Sequence, residues 1–330
     1  MFTPIQTTLG ALLLFSGSSG LLIHNGAVFG ISSLLSGCAF NPSRDNVPII
    51  AGLVSSIVPV YLLAPSLIPS YPAPPQSLAS AATTLGVGFL LGWGTKNGRG
   101  CTSGHMLCGL SRLSPRSLIA TAVFFTTALL TANFVEGGAN IPSCGSAPCY
   151  TPIYPSGQEL GFMAGATLLS VITNFFIVPR MANRSEKSRI AFSYVAGLEF
   201  GLGLLISGMA DSAKVLGFFA FLTDPSRFDP SLALIILFGI GPSLITYLTE
   251  KPAQESAKGK PAAKPTLAEK WRLPTATVAD IDWRFIAGAA SFGVAWGLRG
   301  VCPGPAILRT VLQPTWGLVT MGGYMLGNLF

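Results

Sequence analysis

Charge is the scarcest thing in this chain. Only 10% of its 330 residues are Asp, Glu, Lys or Arg, against roughly 25% in ordinary globular proteins. The 20 basic and 13 acidic side chains cannot cover a soluble body of this size, which argues against a cytosolic enzyme. Histidine is nearly absent, at His24 and His105. Cys101-x3-His105-x2-Cys108 therefore finds no second Cys/His pair to complete four ligands, and no metal site or cofactor is expected. Cys-x-x-Cys is missing, as are the Walker and Rossmann glycine patterns and any motif that would assemble a Ser/His/Asp set, so no catalytic residue is assigned. No Lys or Arg precedes Arg44, so the first apolar run lacks the basic region of a cleaved leader. It reads as a retained span behind a mature N-terminus. The net charge of +7 does not imply nucleic acid, because ten of the 20 basic residues lie in two stretches, Arg180–Arg189 and Lys251–Arg272.

What the chain has is apolar residues. Half are hydrophobic, mean hydropathy is +0.57, and 38 Gly with 25 Pro point to helices that break or pack closely. Runs long enough to cross about 30 Å of hydrocarbon fall near 8–36, 48–69, 78–98, 116–134, 158–179, 192–210, 231–249 and 314–330. The expected fold is an all-α integral membrane protein of about eight or nine spans. Shorter pieces at 100–113, 213–223 and 286–312 read as half-helices or re-entrant segments.

Loops 180–189 and 250–284 are strongly basic while 135–157 has neither Lys nor Arg. The first two are thus expected in the cytosol and the third outside. Cys144 and Cys149 share that outer loop, where a disulfide is the default, and the Asn183-Arg184-Ser185 sequon falls on the wrong side for glycosylation. The Lys/Ala/Pro-rich stretch 250–271 reads as a linker with nothing to bury. The expected organisation is a first membrane repeat at 1–180, a basic connection at 181–190, and a second repeat at 191–330 interrupted at 250–284.

Two halves echo each other. GFLLGWGTKNGRGCTSGHMLCGL at 88–110 resembles GAASFGVAWGLRGVCPGPAILRTV at 288–311, with Cys101 matching Cys302, and 21–38 pairs more loosely with 204–221. Gly/Pro-interrupted segments at corresponding places in two halves point to a transport site near the midplane. Gly100-Cys101-Thr102-Ser103-Gly104-His105 and Gly300-Val301-Cys302-Pro303-Gly304-Pro305 share a design in which glycine lets backbone approach a ligand and the helix that follows aims free N–H groups at an anion. Thr102 and Ser103 add hydroxyl donors, Pro303 suits a first helical turn, and a neutral thiol is a weak donor to a soft acceptor. Arg99, Arg299 and Lys214 lie in or near the broken segments, where charge is functional by default. Lys96 and Arg116 sit at span ends and read as snorkelling, Asp211 with Lys214 reads equally as a structural pair or a gate, and Glu199 in GLEFGLG needs a partner or a proton.

With these motifs in view, the chain resembles the YeeE/YedE family of sulfur-compound transporters, most specifically over 86–125 and 288–306, with 25–38 and 206–219 adding two further segments. The resemblance implies a pseudo-twofold inverted repeat whose short helices meet in mid-membrane. It also implies uptake of thiosulfate as a sulfur source by a relay of Cys38, Cys101 and Cys302 with S–H···S contacts. The expected partners are thiosulfate or a related sulfur anion and the lipid bilayer, without nucleic acid, in a multi-pass protein of the plasma membrane. The competing reading is a membrane thiol oxidoreductase or sulfurtransferase that cycles its cysteines. Cys101 and Cys108 stand seven residues apart, about two helical turns, which disfavours a local resolving pair.

Overall fold

The computed structural model describes residues 1–252 and 264–330, without the side chains of Glu136 and Met181. It is an all-α integral membrane protein; among the described residues the only β contacts are the isolated bridges Phe2–Pro152 and Ala27–Arg272. The helices are α1 (Pro4–Asn25), α2 (Ile31–Phe40), α3 (Val47–Ser55), α4 (Ile57–Leu63), α5 (Leu78–Asn97), α6 (Pro115–Phe134), α7 (Gly157–Ile172), α8 (Val178–Met181), α9 (Glu186–Ile206), α10 (Ser212–Phe219), α11 (Ser231–Ile235), α12 (Gly241–Glu250), α13 (Trp283–Arg299), α14 (Pro303–Leu312) and α15 (Pro314–Leu329). Three π-helical turns, Ser103–Leu107, Thr173–Ile177 and Ile236–Ile240, interrupt or extend them.

Their starts follow from local chemistry. Ser77, Ser114, Ser156, Ser185 and Asp282 each accept a hydrogen bond from a backbone N–H of the helix they precede, satisfying donors that have no intrahelical partner. In hydrocarbon this matters more, because no water competes for them. Long helices then pack through small residues. Gly88 and Gly92 on α5 meet the backbone of Thr320 and Tyr324 on α15, and Gly293 and Gly297 on α13 meet Phe124 and Ala128 on α6. Any side chain at these four positions would collide with a carbonyl, and this is how helices associate where lipid supplies no hydrophobic drive.

Among the described residues, six helical segments are long and apolar enough to span, or seven if bent α13–α14 counts as one. The expected eight or nine is corrected accordingly. The run 8–36 ends as a helix at Asn25. Val47–Leu63, which stops before Pro65, and the 16-residue α15 fall short of 18 residues, about 24–26 Å at 1.5 Å per residue. α13 and α14 meet at 43°.

One order recurs along the chain: a long helix, a break holding a glycine of positive φ, then a short helix or turn. Gly26 (φ 65°) follows α1, Gly100 (155°) follows α5, Gly208 (77°) follows α9 and Gly300 (63°) follows α13. Neighbours are exchanged in the same sense, since α5 packs on α15 while α13 packs on α6.

The bundle has two distinct ends, separated by the 22 residues of α1, about 33 Å. At one, Asn25 donates to the Arg189 carbonyl at 3.0 Å and the Leu267 N–H to the His24 carbonyl at 2.8 Å. At the other, the Phe2 N–H donates to Cys149 and the Cys149 N–H to Ser226, and Cys144 and Cys149 form a disulfide with Cα atoms 5.3 Å apart. The basic loops therefore gather at one end and the cysteine loop at the other. The stretch read as a linker differs from expectation: Leu267 and Ala268 are buried and the Arg272 N–H donates to the Gly26 carbonyl, so 264–272 seals the end of α1. Residues 253–263 of that stretch lie outside the described residues.

Candidate functional site

Two breaks bring Cys101 and Cys302 to one small cavity of about 70 Å³, which Thr102, Ser103, Gly304 and Pro305 also line. That is several times the roughly 10–15 Å³ needed to hold one water. Cys302 sits immediately before α14 with extended backbone, and its carbonyl accepts the Ala306 N–H at 3.0 Å to close the first turn, where Pro303 has no N–H to lose. Cys101 precedes the π turn Ser103–Leu107, and its carbonyl accepts the His105 N–H at 2.9 Å. Both thiols are free and almost wholly buried. Ser103 Oγ accepts the Ile31 N–H at 3.2 Å and stands 3.2 Å from Cys101 Sγ, leaving its own hydrogen for the sulfur or for a ligand. The other walls are apolar, among them Ile31, Phe200, Leu204 and Trp296.

Trp296 was not singled out by sequence reading. It is 2% exposed, wedged against Phe219 at 4.9 Å between ring centroids, and its Nε1–H has no hydrogen-bond partner. A buried donor left unpaired costs about 1–3 kcal/mol, so an indole on the wall of this cavity is suited to an acceptor placed there. The Trp-Gly pairs in the two matched segments were the signal available.

The remaining sequence candidates divide. Gly100, Gly104, His105 and Arg99 line a second cavity of about 520 Å³ towards the basic end. His105 is a brace within its wall: Nε2–H donates to the Gly98 carbonyl at 2.9 Å, which leaves Nδ1 to accept from Ser117 Oγ at 3.1 Å in the neutral ring. A Cβ at Gly100 would lie 2.7 Å from that Nε2, and its φ of 155° is itself glycine territory. Arg299 lines a third cavity, about 1060 Å³, with Asp211 and Arg309 near the disulfide end. Gly300 lets α13 turn into α14, its position pressed against the Ser212 carbonyl.

Further residues stand apart from the cysteine cavity. Cys38 is half-buried near the end of α2 and lines none of these cavities. Lys214 pairs with Asp229 at 3.1 Å and donates to the Met1 carbonyl at 2.8 Å. Asp211, the partner expected for it, instead caps α10 by accepting the Ala213 N–H at 2.9 Å. Glu199 is buried and its two carboxyl oxygens accept from Asn174 Nδ2 at 2.9 and 3.1 Å. Cys108 donates to the Phe29 carbonyl at 3.4 Å. Lys96 caps the end of α15 through the Asn328 and Leu329 carbonyls, but Arg116 is only 8% exposed and does not snorkel.

The profile of a family of unknown function, DUF6691, matches residues 188–327. A "Probable transporter" of Xylella fastidiosa strain Temecula1 is 38% identical over 129 residues, covering 38% of this chain and 91% of that relative. Another from strain 9a5c is 36% identical over 129 residues with the same coverage, and a further one from that strain is 38% identical over 128 residues, 79% of its length.

Proposed function

On the premise that this chain belongs to the family of the Xylella probable transporters, we propose that it is a membrane transporter that imports thiosulfate past the cavity between Cys101 and Cys302. The observation that carries the reading is the convergence of two buried, free thiols from separate helix breaks on one narrow apolar cavity that hydroxyls and an indole also line. Thiosulfate has a soft sulfur end and an oxyanion end. The thiols offer S–H donors to the first, and Thr102, Ser103, the Trp296 indole and the Gly304 N–H between the two prolines that open α14 offer donors to the second. Sulfate lacks the soft end. Serial weak contacts suit conduction, which tight binding would stall.

The inverted repeat belongs to the same reading. Its supports are the recurring long helix, glycine and short helix, the exchanged packing of α5–α15 and α6–α13, and relatives much shorter than this chain that align over most of their length. The halves are taken as 1–180 and 191–330, and the plasma membrane as the address of an importer. Cys38 enters only as a contact at one mouth, since it lies outside the cavity.

The test is uptake of labelled thiosulfate into proteoliposomes holding the purified chain, beside sulfate and beside Cys101→Ala and Cys302→Ala. The expected result is thiosulfate uptake that sulfate does not share and that either substitution removes. Equal uptake by folded Cys302→Ala protein would sink the proposal.

A further inference from the structure

The cavity of about 520 Å³ at the basic end is lined by Arg99, Arg112, Arg116 and Arg272, with Asp45 the one carboxylate among its lining residues. Asp45 is already engaged, by Arg272 at 2.6 Å and by Arg189 at 3.0 Å. Among the described residues no carboxylate stands within ion-pairing distance of Arg99, Arg112 or Arg116, and exposed Asp280 is the nearest acidic influence on Arg116.

Arg116 is the telling residue. It occupies the second position of α6, where a cation opposes the positive end of the helix dipole. It is 92% buried by its 8% exposure, and Nη1 has no hydrogen-bond partner. The Phe285 ring lies 5.5 Å from its guanidinium carbon, and this contact satisfies none of its N–H donors. A buried cation at the wrong end of a helix with an idle donor is a cost unless an anion completes it. Arg99 is turned to the same cavity by a break in which it takes φ 54°, and Arg112 is fixed by donating Nε–H to the Cys108 carbonyl at 2.8 Å.

We propose that this cavity is a second binding site, specific for a small divalent oxyanion through charge and N–H donors, with no requirement for a soft sulfur atom. No lining residue is a cysteine. The site deepens the transport reading by giving the anion a place to rest beyond the narrow cavity. Binding itself does not depend on that reading. Guanidinium groups bind oxyanions of sulfur and phosphorus alike, so free oxyanion and lipid phosphate are to be told apart by experiment.

The probe is sodium sulfate, titrated calorimetrically into the full chain in neutral detergent at ionic strength fixed with chloride. Sulfate is expected to bind the native chain and Cys302→Ala alike, to weaken at least tenfold in Arg116→Gln, and to recover in part in Arg116→Lys. Should Arg116→Gln fail to fold, exposed Arg99→Gln is the second variant, expected to weaken binding several-fold. Absence of sulfate binding beyond chloride overturns the proposal, as does undiminished binding in both glutamine variants. Binding only of an anionic phospholipid overturns it too, by assigning the arginines to headgroups. Failure of thiosulfate uptake in proteoliposomes would fall on the transport reading and leave this titration standing.

Discussion

The two inner cavities lie on either side of one segment, 98–108, and could hardly differ more. The narrow one holds about 70 Å³ between apolar walls with two thiols and an unpaired indole. The wide one holds about 520 Å³ and presents four arginines. The same backbone serves both, since Cys101, Thr102 and Ser103 face one while Arg99, Gly100 and Gly104 face the other. The contrast separates two tasks. Charge attracts any anion and is tolerable only where the cavity is roomy and near solvent, because a naked cation deep in hydrocarbon is expensive. Discrimination belongs where a ligand must shed water and touch every wall.

The sharpest way to break that contrast is at the thiols. Cys302→Ala is expected to reduce thiosulfate uptake to background while leaving the thermal midpoint in detergent within a few degrees, since a buried thiol packs as a small hydrophobe. Cys108→Ala, which removes only a donor to the Phe29 carbonyl outside the narrow cavity, is expected to keep most uptake. Equal losses would show that the division drawn here between the cysteines is wrong.

Trp296→Phe comes next. It keeps a ring on the wall but deletes the orphaned Nε1–H. The folded state should be no less stable, while uptake should fall roughly tenfold, equivalent to about 1.4 kcal/mol. A large loss of stability with unchanged uptake would mean the indole serves packing alone.

Glycines test the difference in space. An alanine methyl at Gly304 would stand 2.9 Å from Ile31 Cδ1 and 3.0 Å from Leu204 Cδ1, both walls of the narrow cavity, whereas nothing lies within 4 Å of one at Gly104 on the wide side. The neighbours at Gly304 are the free ends of side chains and can yield, so stability should change little. Uptake should drop a few-fold in Gly304→Ala and stay level in Gly104→Ala, measured side by side.

Much of this was legible beforehand. The matched segments around Cys101 and Cys302 named the residues of the narrow cavity because glycine, cysteine and small hydroxyls at a helix break are scarce in an otherwise apolar chain. The wide cavity was not legible. Arg116 reads as an ordinary span-end arginine until its burial is seen, and Arg272 joins the site only because 264–272 folds back over Gly26. Span counts failed where helices stop short within runs that hydropathy averages over, and Lys214 found Asp229, fifteen residues on, in place of Asp211 three residues before. Local spacing cannot reveal which distant element closes a cavity.

The smallest effect is expected at Asp45, the only negative charge among the described residues that line the wide cavity. Its hydrogen bond with Arg272, opposed by partial burial and aided by both arginine charges, holds its carboxyl below the ordinary carboxylate range. A carboxyl held low contributes stability above its unfolded value, about 3.9, and loses it as pH falls through the lowered folded value. Asp45 is half-exposed, so the pair is worth no more than about 0.5–1 kcal/mol. Asp45→Asn should therefore lower the thermal midpoint slightly at pH 7, and the difference from the native chain should close as pH falls below the ordinary carboxylate range. Sulfate binding should move the other way, strengthening a few-fold at pH 7, because the substitution removes the one counter-charge in the cavity. If sulfate affinity falls instead, Asp45 acts by positioning Arg272, and the wide cavity depends on arrangement more than on net charge.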